Sequence, residues 1–168
     1  ICFVFSRKNV ERFANELNLN LIENNNEVED ECLRIVKKLP NYKEYVETPE
    51  YKKTIQLLRK GIAIHHSGII PILKEMTEML FSKGYIKVLF ATETFAVGVN
   101  MPAKTVLFCN LQKFNGGNFR YLLSHEYTQM AGRAGRRGID TLGNVIHLTN
   151  FYAINNFPYS KTMREILS

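Results

Sequence analysis

The chain has few cysteines and no long apolar run, and each of these features excludes a class of protein. Its three cysteines, Cys2, Cys32 and Cys109, are odd in number, far apart and form no CxxC pair. A disulfide scaffold and a zinc site are therefore not expected, and a reducing compartment fits this cysteine usage. No apolar run approaches the ~18 residues that suggest a membrane span, so we expect no membrane partner.

The remaining composition is that of one globular domain with a basic bias. The length of 168 residues permits a sizeable core, and 45% of the residues are hydrophobic. The net charge of +6 favours a polyanionic partner such as nucleic acid, with a mildly basic soluble protein as the alternative. The chain begins with Ile1, inside a strand-like run, so we expect it to be a fragment of a larger protein.

Short apolar runs alternate with segments of helical spacing along the chain. The runs lie at residues 1–6, 62–64, 86–91, 105–108 and 145–148. Pro49 and Pro71 stand where a first helical turn tolerates proline. This alternation predicts an α/β domain with a mainly parallel central sheet flanked by helices. Residues 18–60, which include an acidic stretch at 30–33 with the spacing of a solvated helix face, are predicted to be a helical insertion.

Polar residues follow three of the predicted strands, at the sheet edge where parallel α/β domains bind ligands. These candidate nucleic-acid residues are Ser6, Arg7, His66, Ser67, Gly68, Thr92, Glu93 and Thr94. Hydroxyls, a guanidinium and a helix N-terminus can all contact phosphate, although Ser6 and Arg7 could also form a plain turn. Adjacent His65 and His66 should point in opposite directions, so that one packs and the other faces the cleft. We expect no metal site, because partners at ligand spacing are lacking.

Residues 92–103 are predicted to form a long functional loop after a buried strand. Thr92 and Thr94 offer hydroxyls, Gly98 permits close backbone approach, and Asn100 offers an amide. The alternative is a connection without a ligand, whose apolar residues pack locally.

An arginine- and glycine-rich segment follows a predicted helix that runs from Ser124 to about Arg133. Three arginines and three glycines lie within residues 132–138. Planar guanidinium groups such as those of Arg133 and Arg136 suit phosphate oxygens better than lysine does. An exposed basic loop is the alternative interpretation.

The spacing Gln129-x-x-Gly132-Arg133-x-Gly135-Arg136 is similar to the sixth motif of superfamily-2 helicases. Further segments match that family in order, at residues 3–7, 61–68, 71–75, 87–96, 98–103 and 129–138. Together they resemble the second RecA-like domain of a DExH-box RNA helicase of the superkiller group, the exosome-assisting helicases. The resemblance implies a RecA-like domain over residues 1–150, with residues 151–168 beginning the next segment.

The resemblance also implies a role for each matching residue. Arg136 matches the arginine finger, with Arg133 and Gln129 in the same triphosphate-sensing motif, and Gly98 and Asn100 match a loop that reaches the nucleotide. The residues at the three strand ends match the RNA track, and Arg120 matches a basic position before the final helix.

The chain lacks a GxxxxGK[ST] loop and an Asp-Glu pair after a strand, which hold phosphates and magnesium. The resemblance therefore implies that ATP and Mg²⁺ are held mainly by a first RecA-like domain outside this chain, and that this chain alone is inactive. It implies binding of single-stranded RNA and ATP-driven 3′-to-5′ unwinding that delivers RNA to the exosome and its associated subunits. A stand-alone basic RNA-binding module and a DNA helicase remain alternatives. We expect a cytoplasmic location, with a nuclear one left open.

Overall fold

A computed structural model of the chain describes residues 1–23, 25–98, 100–148 and 160–168. In these ranges the strands are β1 (Cys2–Phe3), β2 (Ile62–His65), β3 (Val88–Ala91), β4 (Thr105–Phe108), β5 (Gln112–Phe114), β6 (Phe119–Tyr121) and β7 (Asn144–His147). The helices are α1 (Arg7–Glu16), α2 (Asn25–Val36), α3 (Tyr42–Tyr45), α4 (Pro49–Leu58), α5 (Pro71–Ser82), α6 (Thr94–Gly98), α7 (Ser124–Ala131) and α8 (Ser160–Leu167).

The strands form one five-stranded sheet, in the order β2-β3-β1-β4-β7, and a separate antiparallel pair, β5-β6. Strand β1 runs parallel to β4 with Cys2 opposite Leu107, and β4 runs parallel to β7 with Thr105 opposite Asn144. The predicted mainly parallel α/β sheet flanked by helices is confirmed. All five predicted strands belong to it, and short apolar runs are typical of such strands. In the edge strand β7, however, Val145 and Ile146 are exposed.

The chain divides into two compact units, one of residues 1–10 and 91–168 and the other of residues 11–90. In the first unit, the ring of Phe108 lies 5.8 Å from that of Phe3 and stacks on Tyr127 of α7 at 5.0 Å. Met130, one turn further along α7, is also buried. These contacts anchor α7 to β4, and α7 leads directly into the arginine-rich segment.

The second unit is built around helices α2, α4 and α5, which contact one another. Val28, Cys32 and Ile35 bury one face of α2, while Asp30 lies exposed on the same helix. The acidic stretch at 30–33 is therefore part of an amphipathic helix, as its spacing predicted. The helical character of residues 18–60 is seen in α2, α3 and α4.

Two local predictions were wrong. Residues 92–103 do not form a continuous loop, because α6 occupies Thr94–Gly98, where Phe95 and Ala96 are buried. The hairpin β5-β6 was missed, since strands of three residues are too short for a clear alternation. Its turn contains Asn115 and Gly116, and the glycine has a φ of +90°. Such an Asn-Gly pair flanked by aromatic residues is the signal that could have revealed the hairpin.

The end of the chain is described only in part. Residues 151–159 of the predicted next segment, together with residues 149 and 150 before it, lie outside the described residues. Helix α8 contacts α7, and its Ile166 is buried. No helix within the described ranges is both long and apolar enough to cross a membrane.

Candidate nucleotide-sensing and nucleic-acid site

The arginine loop, defined here as residues 132–138, is held by backbone hydrogen bonds to the segment before β4. Helix α7 ends at Ala131, two residues earlier than predicted, because the chain then pairs with Ala103. The amide of Ala103 donates to the carbonyl of Arg133 at 2.8 Å, and the amide of Gly135 donates to the carbonyl of Ala103 at 2.7 Å. These bonds fix the main chain on both sides of Ala134.

Glycines allow this close backbone approach. Gly135 has a φ of +90°, a conformation that other residues rarely adopt. A Cβ atom placed on Gly143 would lie 2.6 Å from the carbonyl carbon and oxygen of Ala134, so Gly143 packs directly against the arginine loop. The site therefore depends on a glycine that the sequence motif does not include.

Arg136 is bound by Asp140, four residues later in the chain. Its Nε donates to Oδ2 of Asp140 at 2.8 Å, and its Nη2 donates to Oδ1 at 3.0 Å. The Arg136 amide also donates to Oδ2 at 2.9 Å. These hydrogen bonds lower the pKa of Asp140 to about 2. Sequence reasoning missed Asp140, although the spacing of four between an arginine and an aspartate was its available signal.

Arg133 is bound by residues on the neighbouring loop and helix. Its Nη1 donates to Oδ1 of Asn100 at 2.9 Å, and its Nη2 donates to the backbone oxygen of Ala96 in α6. Its buried Nε has no hydrogen-bond partner in the described part of the chain. Arg133 and Asn100, both predicted nucleotide residues, are therefore brought into direct contact.

The other predicted nucleotide residues are also located. Gln129 is exposed on α7, and Gly98 is the last residue of α6. Arg137 is exposed, and the side chain of Arg136 is 41% exposed. Arg136 and Gln129 thus remain accessible to a ligand on this unit.

Arg120 belongs to a cluster of charged residues that sequence reasoning did not identify. Its guanidinium donates to both carboxylate oxygens of Glu126, at 2.7 and 3.1 Å. Lys113 lies 2.9 Å from Glu126 and 3.4 Å from Glu93, so both hairpin strands are bound to α7. Glu126 also accepts from the amide of Leu123 at the start of α7. Glu126 thus accepts four hydrogen bonds, two from Arg120, one from Lys113 and one from the Leu123 amide. These hydrogen bonds lower the pKa of Glu126 to about 2.

The remaining predicted nucleic-acid residues of this unit lie at the ends of β1 and β3. The Ser6 hydroxyl accepts from the amide of Asn9, so it caps α1, and Arg7 is exposed at the first position of that helix. The hydroxyls of Thr92 and Thr94 are 3.0 Å apart, with Thr92 buried and Thr94 exposed. Arg7 and Thr94 are therefore the accessible members of this group.

In the second unit, both adjacent histidines have low exposure, and His66, unlike His65, lines a cavity beside Glu11. His66 Nε2 lies 3.2 Å from a carboxylate oxygen of Glu11, and its Nδ1 accepts from the amide of Gly68 at 3.0 Å. His65 lies 2.9 Å from Glu78. Burial lowers the pKa of His65. Ser67 and Gly68 are exposed at the end of β2, before α5.

The side chains of the arginine loop suit one side of a polyphosphate. Nη1 of Arg136 makes no hydrogen bond to the described residues, and a guanidinium edge of this kind matches two phosphate oxygens. Within the described ranges, no group of three or more His, Cys, Asp or Glu residues is arranged to hold a metal ion. The open Nη1 of Arg136 is therefore a donor that an anion such as a phosphate could accept from.

The mainly parallel five-stranded sheet flanked by helices is that of a RecA-like α/β domain. Residues 30–138 match the family described as helicase conserved C-terminal domain. The chain belongs to this family, and the predicted resemblance to the second RecA-like domain of superfamily-2 DExH-box helicases is confirmed.

Curated relatives agree with this assignment. The chain is 50% identical over 147 residues to the antiviral helicase SKI2 of Saccharomyces cerevisiae, covering 87% of this chain and 11% of that protein. It is 50% identical over 149 residues to the human exosome RNA helicase MTR4, covering 87% of this chain and 14% of that protein. It is 63% identical over 100 residues to the mouse superkiller complex protein 2, covering 60% of this chain and 8% of that protein. The chain thus spans only a small part of each relative.

Proposed function

We propose that this chain is the second motor domain of an ATP-dependent RNA helicase, and that Arg136 is its arginine finger. The observation that carries the proposal is the fixed guanidinium of Arg136, which is bound along one edge and open along the other. The names of the relatives, which include an exosome RNA helicase, support RNA as the nucleic acid.

ATP with Mg²⁺, held mainly by a first RecA-like domain, supplies the phosphoryl group whose transfer drives the motor. Arg136 places its open edge against the phosphoryl oxygens, where negative charge develops, and stabilises that charge. Arg133 ties Asn100 and α6 to the arginine loop, so that these parts of the nucleotide-facing surface move together. Gln129 contacts the nucleotide from the exposed side of α7.

Single-stranded RNA is bound through its phosphates by exposed groups at the strand ends. In the first unit these are Arg7 and Thr94, and in the second unit they are Ser67 and Gly68. The buried His66 and Thr92 and the capping hydroxyl of Ser6 hold the chain at the strand ends, and Arg120 and Glu93 act through the charged cluster around Glu126. The complete protein unwinds RNA in the 3′-to-5′ direction and delivers it to the exosome in the cytoplasm.

The test is to replace Arg136 in the complete parent protein. An arginine finger is worth roughly 10³ to 10⁵ in turnover, so Arg136→Ala should lower RNA-stimulated ATPase at least roughly a hundredfold. Arg136→Lys should restore little, because an ammonium lacks the planar fork. Nucleotide affinity and RNA binding should change much less than the rate.

Arg137→Ala is the matched control, because Arg137 is an exposed arginine in the same loop. It should retain most of the ATPase activity. Normal turnover by Arg136→Ala would refute the assignment of the finger. Competition between RNA and DNA strands separates an RNA helicase from a DNA helicase, and RNA binding without ATPase in the complete protein would favour a simple binding module.

A further inference from the structure

Asp140 lies outside the arginine loop but forms several hydrogen bonds with Arg136. Its carboxylate accepts three hydrogen bonds from one residue, two from the guanidinium and one from the backbone amide. The side chain of Asp140 is only 8% exposed, whereas that of Arg136 is 41% exposed. The carboxylate is therefore the more enclosed member of the pair, and the guanidinium is the more accessible one.

The backbone between the two residues supports this arrangement. The amides of Ile139 and Asp140 both donate to the carbonyl of Arg136, at 3.1 and 2.9 Å, which closes a single turn. Gly138 lies within this turn and has a φ of +78°. Because the carboxylate is bonded to the main chain and the side chain of Arg136 at once, it fixes the side chain relative to the arginine loop.

The geometry leaves room for a second anion on the same guanidinium. An arginine has five N–H donors in a planar fork, and Asp140 occupies the edge formed by Nε and Nη2. The edge that includes Nη1 is open to a phosphate. A phosphate that displaced Asp140 would leave a nearly buried carboxylate without its partner, which is unfavourable. Simultaneous binding of both anions avoids that loss.

We propose that Asp140 is a positioning residue for the motor reaction, which holds the Arg136 guanidinium in one orientation and presents its open edge to the nucleotide. This inference rests on the proposed role of Arg136 as arginine finger. A free arginine side chain samples many rotamers, and only a small fraction would place the fork correctly. Because Asp140 fixes the guanidinium before the reaction, no rotamer entropy of Arg136 has to be lost when the transition state forms.

The test measures steady-state ATPase of the complete parent protein with saturating RNA. Asp140→Asn keeps the size of the side chain but removes its charge and one acceptor oxygen. Misplacement of a reacting group by about 1 Å can cost about a hundredfold, so we expect kcat to fall roughly 10- to 100-fold. The KM for ATP should change less than about threefold, because the finger acts chiefly in the transition state.

Three further variants make the test specific. Adding Asp140→Asn to Arg136→Ala should lower kcat less than about threefold more, because no guanidinium remains to be positioned. Asp140→Glu restores a carboxylate and should recover part of the lost kcat. Asp30→Asn makes the same change at an exposed position of α2 and should leave kcat unchanged.

The possible results separate the inference from the proposed function. Full kcat in Asp140→Asn, with a large loss in Arg136→Ala, would overturn the positioning role and leave the finger intact. Equal losses from Asp140→Asn in both backgrounds would overturn it as well, because a general structural defect would explain them. Full kcat in Arg136→Ala would refute the finger itself. If Asp140→Asn does not fold, Asp140→Glu is measured in its place, because its longer side chain shifts the guanidinium. Equal losses of kcat from Asp140→Glu in the wild-type and Arg136→Ala backgrounds would then overturn the inference.

Discussion

Glu126 is expected to be the residue whose charge most stabilises the first unit. Its side chain is only 15% exposed and receives hydrogen bonds from Arg120, Lys113 and the amide of Leu123. The Arg120 guanidinium, followed by the other donors, lowers the pKa of Glu126 from 4.5 to about 2. One pKa unit equals about 1.4 kcal/mol, so the ionised carboxylate contributes at most about 3.5 kcal/mol.

Glu126→Gln retains the shape of the side chain and an acceptor oxygen but removes the charge. We therefore expect it to lower the free energy of unfolding by about 2 kcal/mol at pH 7, somewhat below the full electrostatic contribution. The measurement is urea unfolding of the chain, followed by circular dichroism, at pH values between 7 and 3.

The pH dependence provides the decisive comparison. A carboxylate whose pKa is lowered by folding contributes its full stabilisation above pH 4.5, and loses it as the pH falls toward 2. The difference between wild type and Glu126→Gln should therefore be largest at pH 7 and shrink below pH 4.5. A difference that stays constant down to pH 3, or no difference at pH 7, would refute the reasoning. Glu165→Gln on α8 is the control, because an exposed carboxylate should change stability by less than about 0.5 kcal/mol.

Two further predictions concern the arginine loop and the nucleic acid. Gly143→Ala places a Cβ 2.6 Å from the backbone of Ala134, so it should cost about 1–3 kcal/mol of stability and lower ATPase in the parent protein. Gly117→Ala, in the hairpin turn with no atom within 4 Å of its Cβ, should be neutral in both assays, and equal effects of the two changes would contradict this explanation. Binding of single-stranded RNA by the chain should be weak and indifferent to sequence. With ~3 phosphates contacted, the slope of log affinity against log salt concentration should be near −2, and salt-insensitive binding would contradict phosphate recognition.

The sequence by itself determined the class of the fold and the order of its motifs. Each of the five sheet strands lies in a short apolar run, and such a run can be recognised from consecutive residues alone. The spacing of arginines and glycines around Arg136 is equally local, since a few consecutive residues contain the whole pattern. The starts of helices α4 and α5 at Pro49 and Pro71 are also local features, because a proline at the first helical position affects only the first turn of its own helix.

The tertiary structure alone decided which partner each polar side chain has. Arg133 binds Asn100, which is 33 positions away, and Lys113 binds Glu126, which is 13 positions away. Nothing in the spacing of either pair predicts a contact, because folding of the intervening chain brings the residues together. The same holds for His66, whose burial depends on packing and not on its alternation along β2. Local patterns specify where an element lies, whereas the orientation and partner of a charged side chain depend on the packing of elements that are distant in sequence.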